Sequence, residues 1–176
     1  MTAAPLAGFR VVAVVTNVPG PVAAARLREM GASVTKVEPP EGDPLGIVAP
    51  AWYAALAAGC AVRRLDLHAP VGRAALDDDL AAADLLLTSL RPAALARLGL
   101  DARELGARFP RLARVAIVGH PAPDEERPGH DLTYLAPHGL LEPPDLPRTL
   151  VAAARRPHRA GWRARRRPPR IRPLPR

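Results

Sequence analysis

The sequence predicts an α/β fold: a Rossmann-like parallel sheet with helices on both faces. Three observations carry the prediction. Short β-branched or leucine-rich apolar runs recur between residues 9 and 118. Segments with apolar residues at helical spacing lie between them. The connections are short, as parallel strands joined by crossover helices require.

Phe9 to Val15 reads as a buried parallel strand, because both faces of such a strand must be apolar. Asn17-Val18-Pro19-Gly20-Pro21 is a turn, and its last proline suits the first position of a helix. Val22 to Met30 follows with helical spacing, and Gly31 is placed to cap it. Ser33 to Glu38 is a second strand, stopped by Pro39-Pro40, which lack amide donors. The alternation continues with a strand over Ala61 to Leu67 and a proline-opened helix over Pro70 to Ala83. A strand over Asp84 to Thr88 comes next, then helices over Pro92 to Arg97 and Ala102 to Phe109. Leu112 to Val118 is the last strand of the series, and Asp131 to Leu141 is helical in part.

Charge divides the chain more sharply than composition does. The formal net charge is +8, yet residues 151–176 alone hold ten arginines and no acid. Residues 1–150 therefore carry 15 basic against 17 acidic residues and are nearly neutral. We read residues 1–150 as one domain and 151–176 as an Arg/Pro-rich tail. The tail cannot bury enough apolar surface to offset its ordering entropy, so disorder is expected. Its Arg/Pro/Ala mixture is also what an alternative frame of GC-rich coding DNA produces. Binding of nucleic acid is the runner-up function, and it rests on this tail: nonspecific and strongly salt-dependent, with Trp162 alone available for stacking.

Other classes are disfavoured. Aromatic residues are 3% of the chain, so the core is built from Ala, Leu and Val. No apolar stretch reaches the roughly 18 residues that a membrane span needs. The first residues show no secretory signal, and Cys60 has no internal partner for a disulfide, so a reducing cytoplasm is expected. Glu38 at the end of the second strand invites a dinucleotide-binding reading. The turn before the first helix, however, offers only Gly20 between prolines, where pyrophosphate needs a glycine-rich run of amides.

A series of segments then points elsewhere. Pro5-Leu6-Ala7-Gly8-Phe9 leads into the first strand; Pro19-Gly20-Pro21 and Leu27-Arg28-Glu29-Met30-Gly31-Ala32 follow. Val34-Thr35-Lys36-Val37-Glu38-Pro39-Pro40-Glu41-Gly42-Asp43-Pro44 and Leu65-Asp66-Leu67-His68-Ala69-Pro70-Val71-Gly72-Arg73 come next. Ala83 to Leu87, Arg91-Pro92, Leu95 to Leu100 and Pro110-Arg111-Leu112 continue the order, closed by Arg127-Pro128-Gly129-His130-Asp131-Leu132-Thr133-Tyr134. Each motif is weak alone; their order and spacing over about 140 residues is specific. In this respect the chain resembles the amino-terminal part of a family III CoA-transferase (CaiB/BaiF family), a group that includes the 2-methylacyl-CoA racemases.

The resemblance implies an acyl-CoA thioester as ligand, no metal, and an interlocked homodimer in intact members. It implies a CoA site lined by Val18 and Pro19 of the first turn, Lys36 and Pro39 at the end of strand two, and Leu67 and His68. Gly129 and Asp131 are placed beside it, and Asp131 is also read as a helix cap. Arg91 and Arg97 are the cations expected near CoA phosphates, because a guanidinium grips phosphate with two donors; as exposed helix arginines they would need no ligand. Two positions depart from the family pattern: His68 stands where lysine is common, and Pro39 where arginine is common. Both remove positive charge.

In the racemase branch the histidine of Gly-His-Asp is one of two acid/base groups flanking the acyl α-carbon, which assigns that role to His130. A loop histidine that caps the next helix is the plainer alternative. The second group is an aspartate in a glycine-rich turn, the nucleophile in transferases and the partner acid in racemases. No acid follows Asp145 here, so this reading expects a chain truncated before that aspartate and inactive by itself. Transferase and racemase chemistry both remain open, the Gly-His-Asp-x-x-Tyr segment favouring the racemase branch.

Overall fold

The computed structural model describes residues 4–138. The tail read as disordered or out of frame, and the nucleic-acid binding assigned to it, lie outside the described residues. The chain divides into two compact units, Met1–Gly129 and His130–Arg176.

The first unit holds five parallel strands: β1 (Arg10–Val14), β2 (Ser33–Glu38), β3 (Ala61–Arg64), β4 (Leu85–Thr88) and β5 (Ala113–Ala116). Their order across the sheet is β3-β2-β1-β4-β5. The chain thus builds outward from β1 to β3 and then returns to the other side of β1. Val11 to Val14 lie opposite Val34 to Val37 on one side and Leu85 to Thr88 on the other. With both neighbours supplying apolar runs, β1 is buried from Val11 to Val14.

Alternate residues of the central strands point to opposite faces. Val12, Val14, Val37 and Leu86 pack with Leu76 and Leu80 of α4 (Pro70–Ala81) and Leu105 of α6 (Ala102–Arg108). Val11, Ala13, Val34, Leu85 and Leu87 pack with Ala24 of α1 (Pro19–Glu29) on the other face. Both faces of the central strands β1, β2 and β4 are covered, as the sequence predicts, while the edge strands β3 and β5 are largely exposed. Each fully buried Val or Leu side chain contributes about 1.5–3 kcal/mol relative to exposure. Two glycines allow the close approach: a Cβ at Gly20 would meet the Val15 side chain, and one at Gly72 would meet the Asp66 carbonyl.

Three differences from the sequence reading have physical causes. First, α1 begins at Pro19, two residues before the proline expected to open it; all of its first turn tolerates residues lacking a bonded N–H. Second, α2 (Leu45–Val48) and α3 (Pro50–Ala57) fill a stretch where no element is predicted. The α3 sequence Pro-Ala-Trp-Tyr-Ala-Ala-Leu-Ala is apolar on every side, so no periodic stripe marks it. Third, β3 stops at Arg64 rather than Leu67. Among the described residues its one neighbour is β2, whose Glu38 pairs with Arg64, and the prolines that follow Glu38 cannot extend the ladder. The short α5 (Pro92–Arg97) matches its predicted span.

In the second unit the described residues form α7 (Asp131–Leu135) and a 3-10 turn over Ala136–His138. No helix among the described residues is long and apolar enough to cross a membrane.

Candidate functional site

In an open α/β sheet the strands end together at one edge, and a hollow there is bordered by the loops that leave them. Here a hollow of about 550 Å3 lies at the carboxyl ends of β1, β2 and β3. Val14, Val37, Leu65, Leu90 and Leu98 give it apolar walls, and Thr16 and the segment from Glu38 to Gly42 border it. Its ionisable residues are Glu38, Glu41, Asp66 and His68. A second hollow, of about 570 Å3, adjoins it through Leu67, His68 and Leu98. That one brings together Arg73, Arg97 and Arg108 with Asp77 and Glu104.

The arginines of the second hollow are not equivalent. Arg73 donates to Asp77 Oδ1 at 3.3 Å and to the Gly99 carbonyl at 2.7 Å. Arg108 pairs with Asp77 as well. Arg97, the last residue of α5, is exposed, and its side chain has no ion pair or hydrogen bond among the described residues. Its guanidinium is the cation of this rim that a phosphate meets without displacing a carboxylate.

Sequence reasoning places Lys36 at the ligand site. Its side chain instead turns inward, 2% exposed, and lines neither hollow. Nζ donates to Glu38 Oε1 and to Asp43 Oδ2, each at 2.6 Å, and lies 4.9 Å from the centre of the Tyr53 ring. Tyr53 donates its hydroxyl to the same Glu38 oxygen at 2.9 Å. Burial works to lower the Lys36 pKa, but hydrogen bonds and charge from Asp43 and Glu38 outweigh it and hold the ammonium above its ordinary value. Burial, then the bond to Glu38, likewise raises Tyr53.

Asp43 completes the network. Its Oδ1 accepts from the backbone N–H of Asn17 at 2.9 Å and from that of Leu45 at 3.0 Å. Asn17 adopts φ +65°, a left-handed conformation that asparagine tolerates better than most residues. Glu38 Oε2 is buried without a hydrogen-bond donor, with Arg64 Nε 3.9 Å away. Sequence reasoning missed Asp43 and Tyr53. The available signal was Lys36 and Glu38 two apart on a buried strand, hence on one face, where opposite charges need each other.

The other predicted positions fall into three groups. Pro39, Leu67 and His68 line the first hollow, and Leu67, His68 and Arg97 line the second. Val18 precedes α1 and Pro19 opens it, next to Thr16 but outside both linings; Arg91 stands exposed before α5 and also lines neither. Gly129 ends the first unit, and His130 and Asp131 open the second. His130 is exposed at the N-cap of α7, with its N–H donating to Thr133 Oγ1 at 2.7 Å and its carbonyl accepting from the Thr133 N–H at 2.8 Å. The cap expected of Asp131 therefore falls to His130, and Asp131 is the first helical residue. Among the described residues no group of three or more His, Cys, Asp or Glu is placed to hold a metal ion.

The site thus combines an apolar-walled hollow, bordered by the carboxylates of Glu38, Glu41 and Asp66, with an adjoining guanidinium that no described side chain engages. Comparison with known proteins bears on its ligand. The profile of CoA-transferase family III matches residues 6–153. Over 145 residues the chain is 32% identical to cinnamoyl-CoA:phenyllactate CoA-transferase of Clostridium sporogenes, covering 75% of this chain and 35% of that protein. It is 36% identical over 147 residues to the BbsE subunit of succinyl-CoA:(R)-benzylsuccinate CoA-transferase of Thauera aromatica, covering 76% and 35%. The crystal structure of a hypothetical protein (Rv3272) from Mycobacterium tuberculosis superposes with a TM-score of 0.74 at 30% identity, covering 85% of this chain and 45% of that one. The chain spans 35% of the length of each of the two curated relatives quoted.

Proposed function

The chain belongs to CoA-transferase family III, and from that premise we propose that its first unit receives the CoA part of an acyl-CoA thioester. One observation carries the reading: the apolar hollow at the ends of β1, β2 and β3 adjoins Arg97, whose charge no side chain among the described residues engages. Uncharged portions of the ligand lie against Leu65, Leu67 and Leu98, and phosphate meets Arg97. His68, at the junction of the two hollows, adds positive charge only when protonated.

The finer assignments extend the same proposal. We assign His130, exposed at the N-cap of α7, the acid/base role at the α-carbon in a racemase-type reaction. In a transferase-type reaction the acyl group passes to a carboxylate nucleophile instead. These 176 residues carry no acid after Asp145, so we propose that by themselves they bind the thioester without turning it over. Assembly as an interlocked homodimer and a cytoplasmic setting belong to this reading too.

The test is CoA binding by calorimetry with the full chain and with R97A. The expected result is measurable binding by the parent and a loss of about tenfold in R97A, the size of one charge-assisted phosphate contact. Absence of binding by the parent, or equal binding by R97A, overturns the reading.

A further inference from the structure

We infer that Lys36 is a positioning residue: acting through Asp43, it sets the shape of the β1–α1 turn beside the hollow and does not itself meet the ligand. The inference rests on the CoA reading for its consequence, but its geometry stands apart from it. One ammonium joins its own strand to four other segments. It bonds Glu38 on its own strand and Asp43 in the loop after β2, each at 2.6 Å. Through Asp43 Oδ1 it reaches the Asn17 amide, at 2.9 Å, and the start of α2 at Leu45, at 3.0 Å. Through Glu38 it reaches Tyr53 of α3, at 2.9 Å.

Of those segments, the β1–α1 turn and the end of β2 with the loop after it border the hollow: Thr16 precedes Asn17, and Glu38 to Gly42 together with Pro44 line the wall. Asn17 is the residue whose φ of +65° turns the chain from β1 into α1. A backbone held in that region persists only where its surroundings over-determine it. The Asp43 carboxylate is such a surrounding, and it is held in place because Lys36 bonds its other oxygen in a site that water does not reach; both side chains are at most 2% exposed. A lysine facing a CoA phosphate would instead need an open path to the hollow, and Lys36 has none.

The experiment compares the full chain with K36M and with the neutral triple variant K36M/E38Q/D43N. The triple variant removes all three charges. The amide side chains it introduces at positions 38 and 43 keep carbonyl oxygens as acceptors for the Tyr53 hydroxyl and the Asn17 amide. Two readouts are taken: CoA affinity by calorimetry, and hydrogen exchange of the Asn17 and Leu45 amides by NMR. The expected result is faster exchange at both amides and a loss of about tenfold or more in CoA affinity for K36M, with both restored to within about threefold in the triple variant. If K36M does not fold, the triple variant decides alone, since a buried charge left unpaired is more damaging than a neutralised triad. With E38Q alone as the control for the residue that lines the hollow, a triple variant that protects Asn17 but fails to bind CoA where E38Q binds it shows that the Lys36 charge meets the ligand, and overturns the inference. Unchanged exchange at Asn17 in K36M overturns it as well. Should the parent bind no CoA, the amide readout still decides the positioning role while the ligand reading alone is lost.

Discussion

The two charged regions around the hollow differ in what surrounds them. On the β2 side, Lys36, Glu38 and Asp43 have side chains at most 2% exposed, and the Lys36 ammonium bonds both carboxylates. On the α4–α5 side, Arg73 and Arg108 share Asp77 at a partly exposed rim, and Arg97 is left over. The contrast teaches that burial decides the work a charge does. A buried ammonium cannot change partners, so it fixes backbone; an exposed guanidinium keeps its capacity for a ligand.

Breaking the buried side is expected to have the largest effect. D43A leaves the Lys36 ammonium with Glu38 alone and strips the Asn17 and Leu45 amides of their acceptor. A loss of about 3–5 kcal/mol is expected in denaturant unfolding, as for other buried pairs deprived of one partner. A loss below about 1 kcal/mol, the range of exposed pairs, would place Asp43 with the surface charges instead.

Alkaline titration sharpens the comparison at intermediate size. Lys36 is raised above its ordinary 10.5, so its stabilising effect is complete below that value and lost as pH rises through the folded pKa. Tyr53, raised above 10.0, acts in the same direction, because its neutral form is the one the folded state prefers. Stability is therefore expected to fall from about pH 10 upward in the parent and to fall less steeply in the neutral triple variant. Parallel curves for the two proteins would remove the triad from the account.

The smallest effect belongs to a charge whose partners are backbone amides at the surface. Asp101 caps α6, accepting from the Arg103 and Glu104 amides at 2.8 and 3.0 Å. The bond from Glu104 leads in holding its carboxyl below the ordinary 3.8. Its contribution is present above that value and lost as pH falls through the lowered pKa. D101A is expected to lower Tm less than D43A does, with the difference from the parent vanishing in acid. A difference that persists in acid shows that the carboxylate is not the source.

The extent to which the fold was legible follows from these particulars. The spans of β2 and α5 could be read directly, because prolines at their ends remove amide donors whatever the tertiary context. The helix α3 could not, since an element apolar on all sides carries no stripe to distinguish it from a strand or a loop. Of the positions that the motifs single out, Pro39, Leu67, His68 and Arg97 line the two hollows. Lys36 was recognisable as important but not by role: its residue type is the same whether it faces a phosphate or a pair of carboxylates.

By itself, then, the amino-acid sequence determined the alternation of strands and helices, the apolar centre of the sheet and membership of the family. Periodicity, proline position and ordered motifs are local properties that survive without coordinates. Only the tertiary structure decided which charges are engaged inside and which remain for a ligand. Lys36 and Asp43 are seven residues apart in the chain and Lys36 and Asn17 nineteen, and only the folding of the loop after β2 beneath the β1–α1 turn puts one carboxylate between them. Desolvation by that folding turns a lysine from a surface cation into an internal strut.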